Sequence, residues 1–184
     1  MIDHEGGRVN RFSNLFSQTR YTARFFGDLY TKNKKFLLNE VSKFIKFNVK
    51  LFNYIGINTV AYPVSDLKYK KTHKIIGDRS FSKNPLIVNN LSKLFIKEYQ
   101  KKGINCISKH VPGHGLSTVD SHFDLPLVTE KYDFLKNNDF LCFQNLNSKF
   151  MRTAHINYSS IDTTVATYSK KIYSIIRNEL KFKG

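Results

Sequence analysis

The sequence predicts an α/β fold built on a parallel sheet, and three observations carry that prediction. Apolar segments with helical spacing alternate with short β-branched or aromatic runs, and the unit recurs three times. Strands alternating with helices of this length imply right-handed crossovers and therefore parallel strands, in an open doubly wound sheet or a closed barrel. At 184 residues, with 41% hydrophobic and 14% aromatic content, the chain can also bury a core, which argues against disorder.

The elements follow in order. From about Thr31 to Tyr54, Leu37, Val41, Phe44, Ile45 and Leu51 recur at near-helical spacing, and Gly56 ends the pattern. NTVAYPVSDL then reads as a buried strand around Val60 to Val64, with Pro63 awkward for a central position. Asn84 and Pro85 form an N-cap and first-turn pair for a helix running through LIVNNLSKLFIKEYQKK to Gly103. INCIS is a short apolar strand, KHVPGHGLSTVDSHFDLP a long loop, and residues from about Glu130 to Leu146 are helical with interruptions. Phe150 to Ile156 reads as a strand and YSSIDTT as a loop ending in N-cap candidates. The last helix, Val165 to Phe182, places Ile172, Ile175, Ile176 and Leu180 on one face.

Charge and cysteine content exclude several classes of function. The net charge of +16 invites a nucleic-acid partner, because cations on phosphates release counterions. Of the 30 basic residues, however, seven are scattered arginines, and the lysines fall on the wet sides of amphipathic segments such as YTKNKKFLLNEVSKFIKFNVK. No nucleic-acid module is recognisable, so the sequence predicts a solvated basic surface and no nucleic-acid partner. No apolar run approaches the roughly 20 residues of a membrane span, and MIDHEGGRV has no signal-peptide core. The expectation is a cytoplasmic protein without a membrane partner. Cys106 and Cys142 lie in apolar surroundings, INCIS and DFLCF, and read as buried thiols.

Chemistry gathers in the polar loops IDHEGGRVNR, SDLKYKKTHKIIGDRSF, KHVPGHGLSTVDSH and HINYSSID. In α/β folds the loops after the strands' C-terminal ends carry the site. His110 and His114 have the i, i+4 spacing of a helical metal pair, but Pro112 and Gly113 between them defeat the helix, so no metal is expected. PGHG lacks the longer glycine spacing and the terminal Lys-Ser/Thr of a phosphate-cradling loop. Asp120 and His122 suggest a dyad in which the carboxylate fixes the imidazole tautomer and the far nitrogen exchanges a proton with substrate. By itself an Asp-x-His more often marks a structural turn contact with no catalytic role. Glu5 and Arg8 are as open to pairing with each other within the first loop as to a role at the site, and are left out of the candidate site.

Four stretches in order, IDHEGGRVNRF (2 to 12), GDRSFSKNP (77 to 85), KHVPGHGLSTVDSHFDLP (109 to 126) and TAHINYSSID (153 to 162), resemble the bacterial β-N-acetylhexosaminidases of glycoside hydrolase family three. The resemblance covers essentially the whole chain. It implies a partial TIM (β/α)₈ barrel, roughly the third to sixth βα units, as a single incomplete domain over residues 1 to 184 truncated at both ends. It also implies a cytoplasmic enzyme that removes N-acetylglucosamine from muropeptides in peptidoglycan recycling by a retaining mechanism without a cofactor.

On the matching positions, His122 would be the acid/base and Asp120 its orienting carboxylate, a proton role that most retaining glycosidases give to a second carboxyl. Asp3, Arg11, Arg79, Lys109 and His110 would bind the sugar, while His114, His155 and Asp162 would support the loops. The family's Asp nucleophile lies on a strand after Gly184, so no residue here is assigned to that role, and a complementary chain supplying the missing strands is an expected partner. Arg152 departs from the family, which usually has an apolar residue there; a buried unpaired charge would be costly, so the residue either points outward or marks relaxed constraint. The alternative is a non-catalytic remnant or a sugar-binding fragment of the same family. Open barrel edges predict poor solubility or self-association.

Overall fold

A computed structural model describes residues 1–119 and 124–184. In chain order the elements are α1 (Ala23–Lys32), α2 (Lys34–Tyr54), β1 (Thr59–Val60), α3 (Pro85–Gln100), β2 (Asn105–Val111), β3 (Leu127–Val128), α4 (Tyr132–Asn137), β4 (Phe150–Thr153), β5 (Asn157–Tyr158) and α5 (Lys170–Asn178). Single 3₁₀ turns occupy Gly77–Arg79 and Phe140–Phe143.

Four parallel segments lie side by side in the order of the chain. Ile2 bridges Val60, β1 pairs with β2 through Thr59↔Asn105 and Val60↔Cys106, and β2 pairs with β4 from Ile107↔Phe150 to Val111↔Thr153. A doubly wound sheet reverses its strand order at a switch point, whereas here Ile2, β1, β2 and β4 lie side by side in chain order without a reversal. The described strands therefore form an arc of a (β/α)₈ barrel. A separate two-stranded parallel ladder, Leu127↔Asn157 and Val128↔Tyr158, ties two of the loops together beyond β4.

The helices follow from their caps and stripes. Asn33 accepts from Phe36 N–H (3.0 Å) to start α2, whose buried Leu37, Val41, Phe44, Ile45 and Phe52 face inward while Lys43, Lys46 and Lys50 stay exposed. Asn84 caps α3 by accepting from Leu86 N–H at 2.9 Å, with Pro85 in the first turn as the sequence predicts. An aromatic cluster fills the space between helices and sheet: Phe95 meets Phe26 at 4.9 Å, Tyr62 at 5.1 Å and Phe81 at 5.6 Å between ring centroids. Cys106 and Cys142 are buried free thiols, as expected.

Several element bounds differ from the sequence-based prediction. α1 lies in a segment for which the sequence predicted no element, although its inward residues Ala23, Phe26, Gly27 and Tyr30 stand at helical i, i+3, i+4, i+7 spacing; Thr22 caps it by accepting from Phe25 N–H at 3.1 Å. The strand predicted at Val60 to Val64 pairs regularly only over β1, because Pro63 has no N–H for the ladder, and Val64 regains a bridge at Lys109. The peptide bond before Pro63 is cis, as are those before His110 and Pro112. β4 ends at Thr153, and Ala154 adds one further bond by donating to Val111 O at 2.8 Å. α5 begins at Lys170, because Ser169 takes the cap by accepting from Ile172 N–H at 3.1 Å; Leu180, beyond the helix, still packs in the core.

Candidate active site

The N-terminal loop is shaped by its glycines. Ile2 is held in the sheet by Ile2 N–H to Thr59 O (2.9 Å) and Ala61 N–H to Ile2 O (2.8 Å), so the chain leaves the sheet edge at Asp3. Gly6 has φ +80°, and a Cβ there would stand 2.6 Å from Tyr21 O and 2.9 Å from the Phe44 ring. This turn, closed by a Gly6–Val9 bridge, brings Asp3 and Glu5 to the inner side and sends Arg8 outward. Behind it, Arg11 N–H donates to His4 Nδ1 (3.3 Å), which makes His4 Nε2 the donor to Gln18 Oε1 at 2.8 Å. Gln18 donates to Asn48 Oδ1 at 2.7 Å, and Asn48 to the Tyr99 hydroxyl at 3.2 Å. Burial holds His4 below its usual imidazole range, so this network is a neutral anchor.

Lys109 is the electrostatic centre. It is fully buried on β2, and its ammonium bridges the Asp3 carboxylate and Glu5 Oε1, the latter at 2.6 Å. Glu5 in turn accepts a two-pronged pair from Arg79, Nε to Oε2 and Nη2 to Oε1, both at 2.8 Å. Burial pushes the Glu5 carboxyl up, but the Arg79 hydrogen bonds and the Lys109 charge outweigh it and hold the carboxyl at about 2. Arg79 also donates to Ile75 O at 2.9 Å, and Arg11 Nε donates to Asp3 O at 2.9 Å. The Glu5–Arg8 pairing that the sequence left open does not occur: Arg8 pairs with Asp78 at 3.0 Å and clasps the carbonyls of residues 74 to 76. Glu5 was thus missed as a site residue, although it stands two places from Asp3 in the same motif.

The histidine loop rests on Asp66. This fully buried carboxylate accepts from His110 Nδ1 at 2.7 Å and His110 N–H at 3.2 Å through different oxygens, and from His114 N–H at 2.8 Å. Burial would raise its pKa, but the His110 charge and hydrogen bond prevail and lower it. An ionised carboxylate only accepts, so His110 Nδ1 carries hydrogen and Nε2 is left for a ligand. Burial, the larger influence, lowers the His114 pKa despite Asp66. Further along, Gly113 (φ +143°) packs against Asp139, where a Cβ would stand 2.7 Å from the Asp139 Cβ, and the Tyr158 hydroxyl donates to Gly113 O. Asp139 accepts from the Tyr69 hydroxyl at 2.5 Å, and burial raises its carboxyl to about 7. None of Asp66, Asp139 or Tyr158 was singled out from sequence.

A cavity of about 170 Å³ joins these parts. Asp3, Glu5, Arg11, Arg79, His110, His114 and Arg152 line it, so four of the five expected sugar-binding residues share one wall, with the fifth, Lys109, directly beneath Asp3 and Glu5. Asp120 and His122 lie outside the described residues. Arg152 does not point away from the site: it lines the cavity, 3.6 Å from Asp3 Oδ2. His155 Nδ1 lies 2.7 Å from Thr167 Oγ1, and Asp162 accepts from the Ser169 hydroxyl at 2.6 Å, ties within their own loops. Among the described residues no group of three His, Cys, Asp or Glu is placed to hold a metal ion, and no helix is long and apolar enough to cross a membrane.

Comparison with known proteins gives this geometry a family. Residues 1–184 match the Glycosyl hydrolase family 3 N terminal domain. The chain is 32% identical over 201 residues to Beta-hexosaminidase A of Pseudoalteromonas piscicida, covering 100% of this chain and 33% of that protein. It is 29% identical over 187 residues to the Beta-hexosaminidase of Nitrosomonas eutropha, covering 100% of this chain and 53% of that one. Among solved structures, native NagZ from Neisseria gonorrhoeae superposes with a TM-score of 0.89 at 30% identity, over 99% of this chain and 54% of that chain. A family 3 β-N-acetylglucosaminidase from a Paenibacillus species superposes with a TM-score of 0.85 at 25% identity, over 100% of this chain and 35% of that one. The chain thus spans between a third and about half of the length of these relatives. The family match over residues 1–184 shows, and the superposed barrel arc agrees, that the chain belongs to glycosyl hydrolase family 3, a family of glycoside hydrolases, and falls within its N-terminal domain.

Proposed function

We propose that the protein this chain belongs to is a cytoplasmic β-N-acetylhexosaminidase that releases terminal N-acetylglucosamine from muropeptide fragments of peptidoglycan with retention of configuration. The observation that carries this reading is the convergence of three loops on one cavity, in which Lys109 joins Asp3 to Glu5, Glu5 clasps Arg79, and Asp66 aims His110. Fixed charges and forked donors suit sugar hydroxyls, which need directional hydrogen bonds in a partly dry pocket. Asp3, Arg11, Arg79 and His110 hold the sugar, with Lys109 setting the charge and orientation of Asp3 from below.

The chemistry is a double displacement. A carboxylate on a strand supplied outside residues 1–184, in a continuing or complementary chain, attacks the anomeric carbon as the bond to the leaving oxygen breaks, and His122, oriented by Asp120, donates a proton to that oxygen. His122 then takes a proton from water as the water oxygen displaces the carboxylate, which regenerates both groups. Turnover of a chromogenic β-N-acetylglucosaminide tests the reading in the protein with that strand present. The expected result is hydrolysis giving the β-anomer first by NMR, with kcat reduced at least about 100-fold in His122→Ala. Inversion, or an unchanged kcat in the variant, would refute it.

A further inference from the structure

Arg152 has no part in the chemistry just described. It lies on β4 in register with Lys109 on β2. Neighbouring residues in register project to the same face of a sheet, which sets two cations side by side on the inner face. Like charges directly opposite are destabilising, so an apolar residue at 152 would serve the sheet better. Among the described residues, three carboxylates, Asp3, Glu5 and the buried Asp66 behind His110, stand against four arginine and lysine cations at or beneath this cavity: Arg11, Arg79, Lys109 and Arg152.

The existing pairs hold Arg152 only by a long ion pair to an already shared carboxylate. Arg79 holds both oxygens of Glu5, Lys109 contacts both carboxylates, and Arg11 Nε is committed to Asp3 O. The nearest anion to Arg152 is Asp3 Oδ2 at 3.6 Å, beyond a hydrogen bond, and among the described residues its guanidinium donates none. Its side chain is 54% exposed although it lines the cavity. A planar fork of donors, open to solvent inside a site with surplus positive charge, matches a carboxylate in two-pronged geometry.

We propose that Arg152 is a specificity-determining residue that makes this cavity prefer a glycoside carrying a carboxylate over its neutral counterpart. The proposal rests on the sugar-binding reading of the cavity and adds the charge of the preferred ligand. The carboxylate can stand on the bound sugar ring or on the aglycone, and matched ligand pairs separate the two.

Calorimetric binding provides the test, in the protein with the strand beyond residue 184 present and its carboxylate changed to an amide so that the ligands are not turned over. One pair is N-acetylglucosamine against N-acetylglucosaminuronic acid; the other is 4-carbamoylphenyl against 4-carboxyphenyl β-N-acetylglucosaminide. In at least one pair the anionic member should bind about tenfold more tightly at low salt. Raised salt should shrink that ratio. Arg152→Met, checked for folding by circular dichroism, should bring the ratio close to one, and Arg152→Lys should retain part of it. Equal binding within both pairs, or a ratio unmoved by Arg152→Met, would overturn the proposal while leaving the sugar site standing. Binding of none of the four ligands would overturn both.

Discussion

Substituting Met for Lys109 keeps much of the side-chain volume and removes the one charge that contacts both Asp3 and Glu5. Breaking a buried ion pair from one side costs about 3–5 kcal/mol, because the partner charge stays behind unpaired. The expected outcome is a lower urea midpoint with the fold's slope preserved, read by circular dichroism. Glu5 gives the same cluster a pH signature. Its carboxyl titrates at about 2 in the folded chain against an ordinary value of 4.5, so the unfolded state binds more protons between those values. The stabilisation is complete above about 4.5 and is lost as pH falls towards 2, on the order of 3 kcal/mol. Urea titrations across that window should show the loss, and Glu5→Gln should flatten it while starting from a lower midpoint. Asp66→Asn addresses the tautomer: an amide cannot accept from all three of His110 N–H, His110 Nδ1 and His114 N–H. The ¹⁵N shifts of His110 should then lose a single Nδ1–H signature, and N-acetylglucosamine affinity should fall about tenfold.

Individual elements divide into those announced by their own residues and those settled by neighbours. α3 was legible because Asn84 and Pro85 mark its start in any context. The start of α5 was not, because several hydroxyl residues between Ser159 and Ser169 could cap it; the one that does is also held by Asp162 at 2.6 Å. Ser169→Ala therefore removes a cap and a side-chain partner together. About 1–2 kcal/mol of stability should be lost, measured as a drop in Tm, with Asp162→Ala giving a smaller drop of the same sign. The β3–β5 ladder has no usable period, since each strand is two residues long; α1 carries a helical stripe of Ala23, Phe26, Gly27 and Tyr30, but with a glycine in a ten-residue segment it leans on packing against α2 and α3.

At the scale of the molecule, the arc of parallel strands ends on β4, which among the described residues pairs on one edge only, with β2. An unpaired edge beside exposed Phe150 is a template for another strand. Residues 1–184 alone should elute in size-exclusion chromatography as concentration-dependent oligomers, and a monomer at all concentrations would contradict this. The alternation of strands and helices, the helix stripes and the residue content of the rim loops were determined by the sequence alone. They depend on local periodicity, and the family motifs lie within short continuous stretches. Which charges meet was decided only by the tertiary structure: Glu5 finds Arg79 across 74 positions and Asp3 finds Lys109 across 106, while Arg8, three residues from Glu5, turns away from it. Ion pairs form between groups that the strand order brings to one rim. Spacing along the chain carries no record of that choice, so Glu5, Asp66 and the inward turn of Arg152 became visible only once the barrel arc was closed around them.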